Sequence, residues 1–335
     1  MVTITEIAER AGVAKSTVSN ALTGKKYVSE ELKKKILDIC EELNYYPNFY
    51  ASRLSGNQTN IVALFLEESE NGVYHSFYTE LIESCLKYLS KHGYNLLISY
   101  NPDSKIRGSF LQKGKAPVDG AIIMAPSVKD ERILQFENDL IPCVSIGKPD
   151  EAQHISYVDV DNSKLVQDAV NLLAVNGYKN IYLLNSNENL NISRERTSAF
   201  VKAMNENNIT GGVNNVFYTV ETSFSEGERL ASELIKENTA FITANVRLAE
   251  GVYSTADKLG LKVGKNVGVF ALGGKRNDRS TPNLTYATQD YAKLAKMAAK
   301  NLLRQLKYVN DGEEIKREVS FIPNKICFDT SINKE

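Results

Sequence analysis

From Ile61 onward, short apolar runs alternate with amphipathic stretches, and this alternation limits the possible fold more than any other feature of the chain. The runs 61–66, 95–100, 121–124, 143–146, 181–184, 241–244 and 267–272 read as buried strands. Between most of them lie stretches with one apolar face, at 78–91, 164–175, 196–207 and 248–259. Strand–helix alternation with short connections predicts parallel sheets covered by helices on both faces. About 270 residues is long for one such sheet, so two similar α/β lobes with a ligand cleft between them are expected. Gly108 and Gly114 break the one stretch, 103–117, where another helix would fit. Ser331–Glu335 read as a short polar end.

The first sixty residues have a different texture, short helices with almost no strand signal. Thr3 followed by Glu6 is a capping-box pattern, and Ile7, Ala8 and Ala11 share the face of the helix it opens. Gly12-Val13 breaks that helix, a second runs from about Lys15 to Leu22, and Gly24 ends it. Ser29 caps a third, with Glu30 and Glu31 in its first turn and Ile36, Ile39, Cys40 and Leu43 as its apolar stripe. Two helices joined by a tight glycine-containing turn are a helix-turn-helix arrangement. After Tyr45-Tyr46-Pro47, Asn48 offers a cap for about two further turns over 49–55. A helix that short needs a partner to order.

Charge and composition remove whole classes of function. The 335 residues carry 40 Lys+Arg against 41 Asp+Glu, so any nucleic-acid surface must be a local patch. Residues 1–35 hold seven Lys/Arg against four Glu, a modest positive excess that suits weak binding by one copy and firmer binding by two. No apolar run approaches the roughly 18 residues of a membrane span, and the first residues lack a signal-peptide pattern, so a cytoplasmic location is expected. Cys40, Cys85, Cys143 and Cys327 are far apart among apolar neighbours and read as buried, inert thiols. His75, His92 and His154 have no ligand-spaced partner, so neither a metal nor a cofactor is expected. The glycines at 260, 264 and 268 read as a turn into a strand rather than a dinucleotide loop.

The segment Val2–Leu22, followed by Leu43-Asn44-Tyr45-Tyr46-Pro47-Asn48, resembles the headpiece of the LacI/GalR family of bacterial transcription regulators at the family's spacing. Ala51 and Leu54 stand where that family has its hinge helix, and 118–123 and 281–285 are similar to landmarks of its effector domain. The resemblance implies an all-α helix-turn-helix headpiece at 1–47, a hinge helix at 48–57, and a two-lobed α/β, periplasmic-binding-protein-like domain at 58–335. It implies a homodimer on a pseudo-palindromic double-stranded DNA operator, a small-molecule effector between the lobes, and chain crossings near residues 162 and 289.

The residue chemistry agrees with that resemblance. A recognition helix presents the side chains near its start to base edges in the major groove. Lys15 suits guanine O6/N7, Asn20 suits adenine N6/N7, and Ser16 suits either. Thr3, Thr5, Thr17 and Ser19 supply hydroxyls for phosphates. In the resembling proteins a leucine is pushed into the minor groove, and Leu54 matches it, with Arg53 as an added backbone or groove contact. The family usually has Ser where this chain has Ala14, which removes a side-chain cap from the recognition helix.

For the cleft, the resemblance points to Arg196, Asn245, Asp161 and Gln289 as polar contacts, and to Phe77 and Tyr78 as aromatic ones. Lys148 enters because 146–149 and 158–162 are similar to maltose-type repressors. Val246 and Gly273 stand where the family commonly has carboxylates, which weakens a simple free-sugar reading, and Lys148 would supply a cation for an oligosaccharide or a phosphorylated sugar. The competing readings are an α/β enzyme acting on a sugar or sugar phosphate, with Asp159, Asp161 and Asp290 as its scattered candidate carboxylates, and a solute-binding protein feeding a transporter. The chain has no Walker A run, Gly-x-Ser-x-Gly elbow or His-Glu-x-x-His, so no catalysis is expected.

Overall fold

A computed structural model describes residues 3–23, 26–43, 58–66, 77–99, 118–150, 153–274 and 279–333. The chain divides into two compact units, Met1–Thr59 and Asn60–Glu335.

The first unit contains three described helices, α1 (Ile4–Ala11), α2 (Lys15–Thr23) and α3 (Glu30–Glu42). The expected capping box opens α1, because Thr3 Oγ1 accepts from Glu6 N while Glu6 Oε2 accepts from Thr3 N at 2.7 Å. Gly12 closes it with φ +74°, a left-handed position that a Cβ would strain. Ser29 Oγ accepts from Leu32 N at 3.4 Å at the start of α3. Ile7, Ala8, Ala11, Val18, Ala21, Ile36, Ile39 and Cys40 form the core that joins all three helices. The expected hinge, 48–57, the stretch 103–117 and Gly24 lie outside the described residues.

The second unit is two sheets, each flanked by helices. In the first lobe the strands are β1 (Ile61–Phe65), β2 (Asn95–Ser99), β3 (Gly120–Met124), β4 (Cys143–Ile146), β5 (Ser156–Asp159) and β11 (Val319–Phe321). They pair in parallel in the order β11-β5-β4-β3-β1-β2. Helices α4 (Phe77–Ser90) and α10 (Tyr291–Asp311) cover one face, and α5 (Glu131–Asn138) covers the other. The second lobe holds β6 (Asn180–Asn185), β7 (Val216–Tyr218), β8 (Thr239–Thr243), β9 (Val267–Ala271), β10 (Thr285–Thr288) and β12 (Lys325–Cys327). Their order is β12-β10-β9-β8-β6-β7, with only β12 antiparallel. Helices α6 (Asn162–Val175) and α7 (Asn191–Glu206) lie on one face, α8 (Phe224–Leu234) and α9 (Val246–Lys258) on the other.

The chain crosses between lobes after β5, after β10 and again between β11 and β12. The first two crossings fall near 162 and 289, where the resemblance put them; the third has no counterpart in the sequence reading.

Three expectations are corrected. Within the run expected at 95–100, residues 95–99 are of mixed exposure rather than buried, because β2 is an edge strand. Ser331–Glu335 are not simply a polar end: Ser331 is fully buried, accepts from Thr285 N and donates to Val269 O, each at 2.7 Å, and Ile332 joins the second lobe's core. Cys40, Cys85 and Cys143 are buried but Cys327 is only partly so. Burial pushes the Cys85 thiol up to about 12 and raises that of Cys143 as well.

Helices α8 and α9 approach most closely at two glycines. A Cβ on Gly227 would run into the Leu248 carbonyl, and one on Gly251 into Phe224 O and Glu228 N. Helix propensity alone makes Gly→Ala stabilising by about 1 kcal/mol. The crossing reverses the sign, so Gly227→Ala is expected to lower stability by about 1–3 kcal/mol in urea unfolding, as overpacked cores do. A neutral or stabilising result would show that the helices can part without cost.

Candidate functional site

In the first unit, α2 is the helix expected to read DNA. Ala14 contributes only its carbonyl, which accepts from Thr17 N at 2.9 Å and Val18 N at 3.2 Å. Val18 and Ala21 point into the core, which turns Lys15 and Ser16 outward and leaves Thr17, Ser19 and Asn20 half-buried along the flank. Thr3 is exposed beside α1, its hydroxyl already engaged with Glu6, and Thr5 is half-buried. Lys35 Nζ donates to Ala11 O at 3.1 Å, and Arg10 pairs with Glu42 at 2.8 Å. Those contacts brace α1 against α3 and leave the outer face of α2 to a partner. Arg53 and Leu54 lie outside the described residues.

The second site lies where β5 passes into α6. Asp159, at the end of β5, is buried and accepts from Lys148 N at 2.8 Å, Val160 N at 2.7 Å and Asn162 Nδ2 at 3.2 Å. Burial pushes its carboxyl up to about 6 against the lowering by the two backbone donors; Glu195 pushes it further and Arg196 pulls it back. Asn162 is fully buried, and because its amide nitrogen faces Asp159 its oxygen faces α7, where it accepts from Arg196 Nε at 3.3 Å. Arg196 is 4% exposed. Among the described residues its terminal nitrogens meet no carboxylate at ion-pair distance, although Asp159, Glu195 and Tyr291 lie within its field. Burial therefore lowers its affinity for its proton. Glu195 itself accepts from Ser163 Oγ at 2.8 Å.

Tyr291 opens α10 at the second crossing, half-buried, its hydroxyl pushed up to about 12 by burial. That hydroxyl and the Gln289 amide flank Gly273, where an added Cβ would stand 3.8 and 3.9 Å from them. Those are ordinary contact distances, so a side chain at 273 has room.

The other expected cleft residues fall in varied places. Tyr78 is buried in the first lobe's core, and Phe77, whose side chain lies outside the described residues, begins α4. Lys148 is exposed and meets the site through its backbone N–H. Asp161 is exposed and caps α6, accepting from Lys164 N at 2.8 Å. Asn245 caps α9 through Leu248 N at 3.0 Å, and its Nδ2 donates to Thr222 Oγ1 at 2.7 Å. Val246 is buried beside Gly274, so its side chain packs rather than faces a ligand. The sequence reading missed Asn162, Glu195 and Tyr291 and gave Asp159 only to the enzyme alternative. A buried Asp-x-x-Asn at the end of a strand was the available signal.

Comparison with known proteins settles the class. Residues 3–48 match the model for bacterial regulatory proteins of the lacI family, and residues 154–331 match the periplasmic binding protein-like domain. The chain belongs to the LacI family. It is similar to the probable HTH-type transcriptional repressor ExuR of Bacillus subtilis (strain 168), 28% identical over 310 residues that cover 90% of this chain and 91% of that one. Its fold is that of a lac repressor dimer solved with operator and the anti-inducer ONPF, at TM-score 0.74 and 20% identity over 99% of each chain. It also matches a CelR–cellobiose complex at TM-score 0.69 and 20% identity, over 99% of this chain and all of that one. The protein is thus a DNA-binding transcriptional regulator rather than an enzyme. The enzyme reading has no support at its named carboxylates either: Asp161 and Asp290 cap helices, and Asp159 is held by backbone donors. Among the described residues no helix is long and apolar enough to cross a membrane.

The Asp159 carboxyl gives this LacI-family chain a pH signature. Its native pKa of about 6 lies above the roughly 3.9 of an unfolded aspartate, so the native state binds the extra proton between those values. Stability contributed by this group is then present at low pH and lost as pH rises from about 4 to about 6. The stability of Asp159→Asn relative to wild type should therefore climb across that window, by a few kcal/mol at most. Urea unfolding at several pH values measures it; a constant difference would mean that Asp159 does not titrate there.

Proposed function

We propose that this chain is a homodimeric, effector-controlled repressor that reads a pseudo-palindromic operator, with residues 1–47 as headpiece, 48–57 as hinge helix and 58–335 as effector and dimerisation domain. Lys15, Ser16 and Asn20 read bases, Thr3, Thr5, Thr17 and Ser19 set the phosphate register, and Leu54 with Arg53 opens the minor groove between half-sites. The outward face of α2 supports this reading. The absence of a described membrane-crossing helix agrees with action in the cytoplasm.

The effector is a sugar or sugar derivative bound between the lobes, and the observation that carries this reading is Arg196. A guanidinium so buried, held among the described residues only at Nε by Asn162, offers two terminal nitrogens to a ligand that brings hydroxyl or acidic oxygens. Gln289 and Tyr291 add polar contacts around the space at Gly273. Asp161, Asn245 and Lys148 contribute at the rim, and Phe77 and Tyr78 are the aromatic contacts that the family resemblance implies. Binding there shifts the dimer between DNA-competent and incompetent states, with a coupling of about 1–3 kcal/mol.

In vitro selection from random duplex DNA, at a stated salt concentration, tests the DNA half of this reading. A palindrome of about 14–20 base pairs with half-sites spaced for a two-fold dimer is expected, and recovery of no common site with or without added sugars would overturn it. The genes beside that site supply the sugars to test. With a responding sugar in hand, Arg196→Ala is expected to abolish the ligand response while leaving operator affinity within about twofold. An unchanged response would remove Arg196 from the effector site.

A further inference from the structure

Apart from its three chain crossings, the effector domain ties its lobes together through two loops. In the first lobe the chain leaves β3 through residues 125–129, and in the second it enters α7 through residues 189–191. Ser127 and Leu190 face each other as an isolated antiparallel bridge. Val128 N donates to Asn189 O at 2.8 Å, Asn191 N donates to Pro126 O at 3.2 Å, and Asn191 Nδ2 donates to Ser127 O at 3.0 Å.

Both loops are shaped for this contact. On the first-lobe side Ala125 and Lys129 adopt φ +48° and +54°, left-handed positions that persist in non-glycine residues only where the surroundings enforce them. The enforcement is visible. Fully buried Asp130 accepts from Ser127 N at 3.1 Å and pairs with Arg132 at 2.6 Å, while Gln153 Nε2 donates to Asp130 O at 2.9 Å. Removing one partner from a buried pair is costly, so the loop is fixed to its lobe before the other lobe arrives. On the second-lobe side, the residue before α7 is Leu190, which offers no side-chain acceptor. The N–H of the first helical residue is satisfied instead by the Pro126 carbonyl of the opposite lobe. Arg196 lies five residues further along that helix.

We propose that these loops form a clasp in which Asn191 is a positioning residue: closing the lobes completes the start of α7 and thereby fixes Arg196 against the first lobe. This rests on the reading of the cleft as the effector site, and it makes release of the clasp the step that admits the effector. The Val128 and Asn191 amides, which donate across the seam, report its state directly.

Hydrogen exchange on the full-length protein, with neither sugar nor DNA present, tests this. In Asn191→Ala the Val128 and Asn191 amides are expected to exchange about tenfold faster, while those of β6 and the second half of α7 keep their wild-type rates. Asn191→Asp separates the clasp from simple helix weakening, because an acidic residue at a helix start supports α7 yet cannot donate to Ser127 O. Faster exchange at Val128 in Asn191→Asp, with α7 fully protected, is the expected result. Unchanged exchange at Val128 in both variants, or acceleration spread evenly through β6 and α7 in both, overturns the clasp. With no effector in the sample, failure here leaves the effector reading standing, and loss of that reading leaves these rates unaffected.

Discussion

Arg196 is a cation almost fully removed from water, and in the described protein a single hydrogen bond, to Asn162, holds it. An unpaired buried charge is among the most expensive features a fold can carry. Here the cost is moderated by the nearby Asp159 and Glu195 carboxylates, neither at contact distance, and by an asparagine whose orientation is set from behind. Because Asp159 occupies the Asn162 amide nitrogen, the Asn162 oxygen can only face α7. The hydrogen-bonded series from Lys148 N through Asp159 and Asn162 to Arg196 therefore runs from the first lobe, across the first chain crossing, into the second. Any rotation of the lobes about that crossing has to deform this series or move the guanidinium with it.

The headpiece obeys a different economy. Its core of small and medium side chains, Ile7, Ile36 and Ile39 the largest, is small, and a unit of this size is marginal unless its helix ends are well made. The capping box at Thr3 and the hydroxyl cap at Ser29 serve two of the three helices. The third, α2, begins at Ala14 without a side-chain acceptor. Among the described helices of this unit, α2 is thus the one whose start has no side-chain acceptor, since Ala14 offers only its carbonyl, which Thr17 N and Val18 N share.

Much of this was legible beforehand. Patterning located the strands at 61, 121, 143, 181, 241 and 267, because a parallel strand buried on both faces leaves an unbroken apolar run, and the helices near 78, 164, 196 and 248, but not those at 131, 224 and 291. The pattern also placed the strand at 95 but misread its burial, because β2 is an edge strand, and it missed β5, β7, β10, β11 and β12, which are short and not uniformly apolar. Helix starts were read late at α7, since Asn191–Glu195 carry no apolar period and the first N–H is satisfied from another part of the chain. Among the expected cleft residues, Arg196 came from the motif alone, and its burial beside Asn162 did not. Asp161 and Asn245 were found as residues, but their carboxylate and amide turned out to cap α6 and α9, which spacing alone does not reveal.

The sequence by itself determined the two-part architecture, the helix-turn-helix and the choice of Lys15 and Ser16 as outward-facing residues, because each of these follows from local periodicity and turn chemistry within a few residues. Only the tertiary structure decided that Asp159 is buried and raised, that Asn162 stands between it and Arg196, that Ser331 ties the end of the described chain into the second sheet, and that Pro126 completes α7 from the other lobe. Apart from the Asp159–Asn162 bond, these are contacts between residues 34 to 65 positions apart. Their energies depend on desolvation and on the direction of single hydrogen bonds, which no local pattern of apolar and polar residues encodes.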